Sequence, residues 1–186
     1  MKFNNKKNDC VTTTEGKEIW VSRSVAVTLT CIALYRGEFY VLISKRGPDC
    51  PDNVGKWCLP CGYLDWNETG REAVMREAWE EVGLDLSPWI YDDEQPWYVN
   101  TNPSENRQNI SLRYGMFINI GYEELPVLIP NNEGEGREVD DAIWMPIRDI
   151  DNYDFAFNHC QTIKDFYMTS QYGPGQNGMR YKKVVE

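Results

Sequence analysis

Apolar positions divide this chain into strand-like and helix-like segments. Residues 24–35 (SVAVTLTCIALY) and 39–44 (FYVLIS) are rich in Val, Thr, Ile and Leu. Such runs suit buried strands, and the turn Arg36-Gly37-Glu38 joins them as a hairpin. A short strand is also expected over 19–22, after a loose polar segment over residues 1–18. Residues 47–55 hold two prolines, an asparagine and two aspartates, the composition of a surface loop. Residues 57–63 form a short apolar strand interrupted by Pro60. Further strands are expected over 87–100, 110–120 and 142–146, with a loop over 131–136 (NNEGEG) and a second helix over 159–170.

The first helix is predicted over residues 70–82. Thr69 can cap its N-terminus with Glu72 three residues on, completing a capping box. Gly83 suits the left-handed position just past the C-terminus. At about 100° per residue, Val74, Met75, Ala78, Trp79 and Val82 fall on a core-facing side. Glu77, Glu80 and Glu81 fall together on the other side. Strands with two interspersed helices imply one α/β layered domain over residues 1–186, with a mixed sheet.

The bulk composition narrows the function. The hydrophobic and charged shares, 41% and 26%, are those of an ordinary globular protein. A formal net charge of −10 disfavours a nucleic-acid or anionic-membrane surface. The start of the chain (MKFNNKKNDC) has no apolar stretch, and no window approaches the length of a membrane span. A cytoplasmic protein is the expectation. In that setting Cys10, Cys31, Cys50, Cys58, Cys61 and Cys160 read as free thiols. Cys58 and Cys61 form a CxxC. A closed zinc site needs four ligands, and the single histidine, His159, lies far along the chain.

The acidic side of the first helix carries the chemistry. Three carboxylates within one turn repel one another unless a cation sits among them, and oxygen-rich sites suit Mg²⁺ or Mn²⁺. A bare ExxEE is more often a solvated helix face. Here the context differs. Gly62 is followed by five residues and Glu68. Seven residues later comes Arg76-Glu77-Ala78-Trp79-Glu80-Glu81-Val82-Gly83-Leu84. This resembles the Nudix box, Gly-x5-Glu-x7-Arg-Glu-U-x-Glu-Glu-x-Gly-U, where U is a bulky aliphatic residue. Every fixed letter is present, and Ala78 at the first U is a mild departure. Chance coincidence of seven fixed letters at average composition is roughly one in a million. The order of elements is similar from about residue 24 to 146, and specific from Trp57 to Leu84.

The resemblance implies a Nudix-like α/β/α sandwich and a Mg²⁺-dependent hydrolase, Mn²⁺ being an alternative metal. Its substrate would be a nucleoside diphosphate linked to another group. ADP-ribose, dinucleotides and nucleotide sugars are favoured over nucleoside triphosphates. By motif position Glu77, Glu80 and Glu81 are metal ligands, with Glu77 also a candidate base. Glu68 is a supporting acid, Arg76 holds the glutamates, and the backbone carbonyl of Cys61 is a further ligand. A loop acid before Trp144 is expected. Glu138 is the choice, with Glu133, Glu135 and Asp140 competing. Gln95-Pro96-Trp97 resembles part of the signature of NADH pyrophosphatases, although Tyr98-Val99-Asn100 replaces its remainder. Arg46, Arg107 and Arg113 are candidate phosphate or ribose contacts, and Tyr63, Trp66 and Trp97 candidate stacking residues. The partner is a small-molecule nucleotide, with no nucleic acid and no membrane; a homodimer is compatible with the family. Two other classes compete: a catalytically silent Nudix domain that senses a nucleotide, and an isoprenoid isomerase on the same fold. The complete set of box acids speaks against both.

Overall fold

A long strand pair organises the chain. The computed structural model describes residues 7–103, 107–130, 136–172 and 181–182. An N-terminal hairpin pairs β1 (Asp9–Thr12) with β2 (Glu18–Val21), so the segment expected to be loose is partly structured. Strand β3 (Val25–Tyr35) then turns at Arg36 and Gly37 into β4 (Glu38–Arg46), antiparallel to it. Strands β5 (Trp57–Cys58) and β6 (Cys61–Tyr63) flank Pro60, which has no N–H to give a ladder. Helix α1 (Gly70–Val82) follows, then β7 (Tyr98–Asn100), β8 (Ile110–Gly121) and β9 (Val139–Pro146). A 3-10 turn over Ile147–Asn152 leads to helix α2 (His159–Tyr172), and β10 (Tyr181–Lys182) pairs with β8.

The sheet is mixed. β3 runs parallel to β8 along its whole length and antiparallel to β4 and β6. β4 pairs on its other side with β5 and β9. Alternate residues of β3 serve two cores. Val27, Leu29, Cys31 and Ala33 join Ala73, Val74, Ala78 and Val82 of α1. Ile32 faces the opposite way, with Ile163 and Phe166 of α2. The result is a helix layer on each face of the sheet, the α/β/α sandwich expected. Gly115 in β8 leaves room for the Phe166 ring, which a Cβ there would strike.

Two expectations fail locally. Residues 87–97 form turns, so strand structure is confined to Tyr98–Asn100. Asp85 accepts hydrogen bonds from the Ser87 N–H and hydroxyl, and Leu86 accepts from Trp89 and Ile90. These local bonds, with Pro88 and Pro96 lacking donors, outcompete a ladder. Trp79 is 54% exposed rather than in the core. One helical step of about 100° carries it from the direction of buried Ala78 to the edge of the apolar stripe. The expected loop over 131–136 lies outside the described residues up to position 135. Among the described residues no helix is long and apolar enough to cross a membrane.

Candidate functional site

Helix α1 presents its acids to the turn between β5 and β6. Both ends of the helix are fixed as the sequence implies. The Thr69 hydroxyl accepts from the Glu72 N–H, the Glu72 carboxylate accepts from the Thr69 N–H, and Gly83 is left-handed with φ 68°. Gly83 also packs closely, since a Cβ there would come within 2.6 Å of the Ile129 carbonyl oxygen. With both ends set, the phase of Glu77 and Glu81 is set too.

Those two glutamates converge on the Cys61-Gly62 peptide. The Glu77 carboxylate lies against Gly62 so closely that a Cβ on that residue would overlap it. Glu81 accepts from the Cys61 N–H at 3.4 Å and from the Ser44 hydroxyl at 3.3 Å. Burial, together with the negative charge of Glu77, pushes the Glu81 carboxyl up to about 8. Burial also raises Glu77, while the Arg76 guanidinium works against it. These two neighbouring carboxylates, one buried and one half-buried, therefore resist ionising together.

Arg76 ties the remaining acids. It donates to both oxygens of Glu68 at 3.1 and 2.8 Å, to Glu77 at 2.7 Å, to Glu80 at 3.0 Å and to the Tyr63 carbonyl at 2.9 Å. The hydrogen bonds from Arg76 hold the Glu68 carboxyl below its usual range. This forked geometry is what a guanidinium provides and an ammonium does not. Glu80 is half exposed and turned to Arg76.

The oxygen donors here suit a hard divalent cation. Among the described residues, no group of three or more His, Cys, Asp or Glu side chains is arranged to hold a metal ion. The side-chain donors that meet one backbone turn are the pair Glu77 and Glu81. A cation bound there would need backbone oxygen to complete its shell, and its charge would relieve the repulsion within the pair.

A cavity of about 650 Å³ opens beside Cys61 and Gly62. Its wall includes Arg23, Arg46, Arg107, Arg113, Tyr63, Phe157 and His159. Arg46 donates to the Asp52 carbonyl at 3.0 Å and to its carboxylate at 3.2 Å. Arg107 donates to the same carboxylate. His159 is buried, and its Nδ1 accepts from the Leu59 N–H at 3.0 Å. Burial, reinforced by the positive charges of Arg113, Arg46 and Arg107, pulls this imidazole down to about 3.

Several sequence candidates fall elsewhere. Trp97 packs against Phe166 at 5.4 Å in the α2-side core, not on the cavity wall. Trp66 is 87% exposed and is not among the wall residues. Glu138 uses its carbonyl to accept from the Gly47 N–H at 2.6 Å and from the Cys50 thiol at 3.1 Å. That seats its segment against the 47–55 loop. Among the described residues no hydrogen bond links the Glu138 carboxylate to Glu77 or Glu81. Asp140 pairs with Lys45 and Arg137. Glu133 and Glu135 lie outside the described residues. All six cysteines are free, and Cys61 and Cys58 are raised by burial. Arg23 and Phe157 are wall residues that the sequence alone does not mark, and His159 enters there only as a possible zinc ligand. No local motif marks them, since they reach the site from opposite ends of the chain.

The family model for the NUDIX domain matches residues 25–166. Nucleoside triphosphatase NudI from Klebsiella pneumoniae (strain 342) is 30% identical over 132 residues, covering 68% of this chain and 86% of NudI. Nudix hydrolase 19, chloroplastic, from Arabidopsis thaliana is 35% identical over 74 residues, 37% of this chain and 16% of that protein. Other curated relatives are matched over 48% of their own length. Among solved structures, the NUDIX domain of Shewanella oneidensis NrtR, complexed with ADP ribose, has a TM-score of 0.61 at 20% identity. That likeness of fold covers 81% of this chain and 90% of the other.

Proposed function

This chain belongs to the NUDIX family, and from that membership we propose that it is a Mg²⁺-dependent pyrophosphohydrolase acting on a nucleoside diphosphate linked to another group. The observation that carries the reading is the meeting of buried Glu77 and half-buried Glu81 at the Cys61-Gly62 turn, on the edge of a cavity walled by arginines. ADP-ribose, dinucleotides and nucleotide sugars lead the substrate list. The bound ADP ribose of the NrtR domain supports that order, whereas the name of NudI keeps nucleoside triphosphates on any test panel.

Glu77, Glu81 and the Cys61 carbonyl would hold the cation, with Glu80 available if it leaves Arg76. A divalent cation in such a site neutralises phosphate charge and lowers the pKa of water. The protein's own residues do the rest. Arg76 fixes the rotamers of Glu68, Glu77 and Glu80. Glu77 is the candidate base, placed by its contact with Gly62 at the same turn, and Glu81 is the alternative. The cavity arginines attract the anionic substrate into an otherwise acidic protein.

The test is a product assay with Mg²⁺ on ADP-ribose, NADH, dinucleoside polyphosphates, nucleotide sugars and nucleoside triphosphates. Glu81→Gln should lower turnover of the accepted class by about a hundredfold or more while circular dichroism stays unchanged. Turnover near that of the parent would overturn the site assignment.

A further inference from the structure

The cavity gathers positive charge on one wall. Its described wall holds four arginines and one carboxylate, Asp52, in a chain of net charge −10. The wall's amides and hydroxyls, such as Asn100, Asn109 and Ser111, can meet a sugar, whereas its guanidinium groups only donate and match a group rich in acceptors. Exposed arginines are common and mean little alone. Here they are arranged. Arg46 and Arg107 lie over the same Phe157 ring, at 5.2 and 4.3 Å from its centroid, and both donate to Asp52. The Arg46 side chain is 13% exposed.

Phe157 supplies the second observation. It is a non-glycine residue at φ 57°, a conformation that costs on the order of 1 kcal/mol or more and persists only where neighbours impose it. Those neighbours are visible: Ala156 N–H donates to the Trp57 carbonyl at 2.8 Å, and Thr162 N–H to the Asn158 carbonyl at 3.0 Å. The chain thus spends backbone strain to keep a phenyl ring 37% exposed on a cavity wall as a platform for two guanidiniums.

We propose that the substrate carries a further phosphate, outside the pyrophosphate that is cleaved, and that Arg46 and Arg107 bind it over Phe157, with Arg23 and Arg113 lending charge. This rests on the hydrolase reading above. The phosphate belongs either to a ribose hydroxyl or to a longer polyphosphate chain, and the two sources are separable.

The experiment uses the full chain and two substrate pairs, NADPH against NADH and diadenosine tetraphosphate against diadenosine diphosphate. Each pair is measured twice: as kcat/KM with Mg²⁺, and as affinity by calorimetry without metal. The phosphate-richer member of one pair should be preferred at least tenfold in both measurements, and Arg107→Gln should bring that ratio towards one. The pair that responds identifies the source of the phosphate. Arg107→Gln changes a half-exposed side chain, and an unchanged melting temperature verifies its fold; Phe157→Leu should weaken the same preference. Preference in binding without turnover of any substrate upholds the phosphate site at Arg46 and Arg107 and overturns the hydrolase. Turnover without preference in either pair does the reverse. Equal binding and no turnover overturns both, and a preference that survives Arg107→Gln overturns the assignment to this wall.

Discussion

Replacing His159 by asparagine should remove a specific pH dependence from the stability of this protein. The imidazole is buried, accepts from the Leu59 N–H at Nδ1, and faces Arg46, Arg107 and Arg113, so it stays neutral down to about 3. In the unfolded chain it titrates at an ordinary 6.5. The folded value lies below the unfolded one, so the unfolded chain binds the extra proton between those two values. Stability therefore falls as pH falls through that window, and is unaffected by this group above it. At pH 5 the loss relative to pH 7 is about 2 kcal/mol, from 1.36 kcal/mol per unit below 6.5. Asparagine can offer an oxygen near the position of Nδ1 and does not titrate. Its smaller volume subtracts a pH-independent amount. Urea unfolding of both proteins at pH 7 and pH 5 reads the difference directly. The parent should lose about 2 kcal/mol more than the variant between the two pH values. Equal losses would mean that His159 is protonated in the folded state, and that the cavity arginines do not exert the field assigned to them.

Gly62→Ala should leave the fold intact but displace the Glu77 carboxylate, lowering kcat by about a hundredfold, the scale of an ångström misplacement; a variant with parental kcat would refute the contact. Mg²⁺ at ten times its Kd should stabilise the protein by about 1.4 kcal/mol in thermal denaturation, and Glu81→Gln should abolish that shift. No shift for the parent at millimolar Mg²⁺ would argue against a preformed cation site.

The two halves of the site differ in how far the sequence reveals them. Residues 61–83 form one local unit. Helix periodicity, the Thr69 capping box and Gly83 set the phase of the glutamates, so spacing along the chain translates directly into position. The pairing of Arg76 with Glu80 follows from the same helical geometry. The anionic-substrate half has no such logic. Arg23 precedes β3, Arg46 borders the 47–55 loop and Asp52 lies within it, Arg107 and Arg113 flank the start of β8, and Phe157 leads into α2. Their proximity is set by sheet pairing, which single-residue patterns do not encode. Trp97 was misplaced for the same reason: an aromatic at a strand edge reads alike whether it faces ligand or core. Residues 87–97 were misread because Asp85 and two prolines redirect the backbone despite strand-like composition.

The parallel pairing of β3 with β8 also bears on how the protein is made. Val25 lies opposite Ile110, so the central ladder closes a loop of about 85 residues. Synthesis runs from the N-terminus at roughly 5–20 residues per second. Helix α1 is therefore complete some seconds before its partner strand exists. During that interval Ala73, Val74, Ala78 and Val82 lack the Tyr114, Met116 and Ile118 side chains that later bury them. Over that interval the apolar side of the helix has β3, but not yet β8, to pack against.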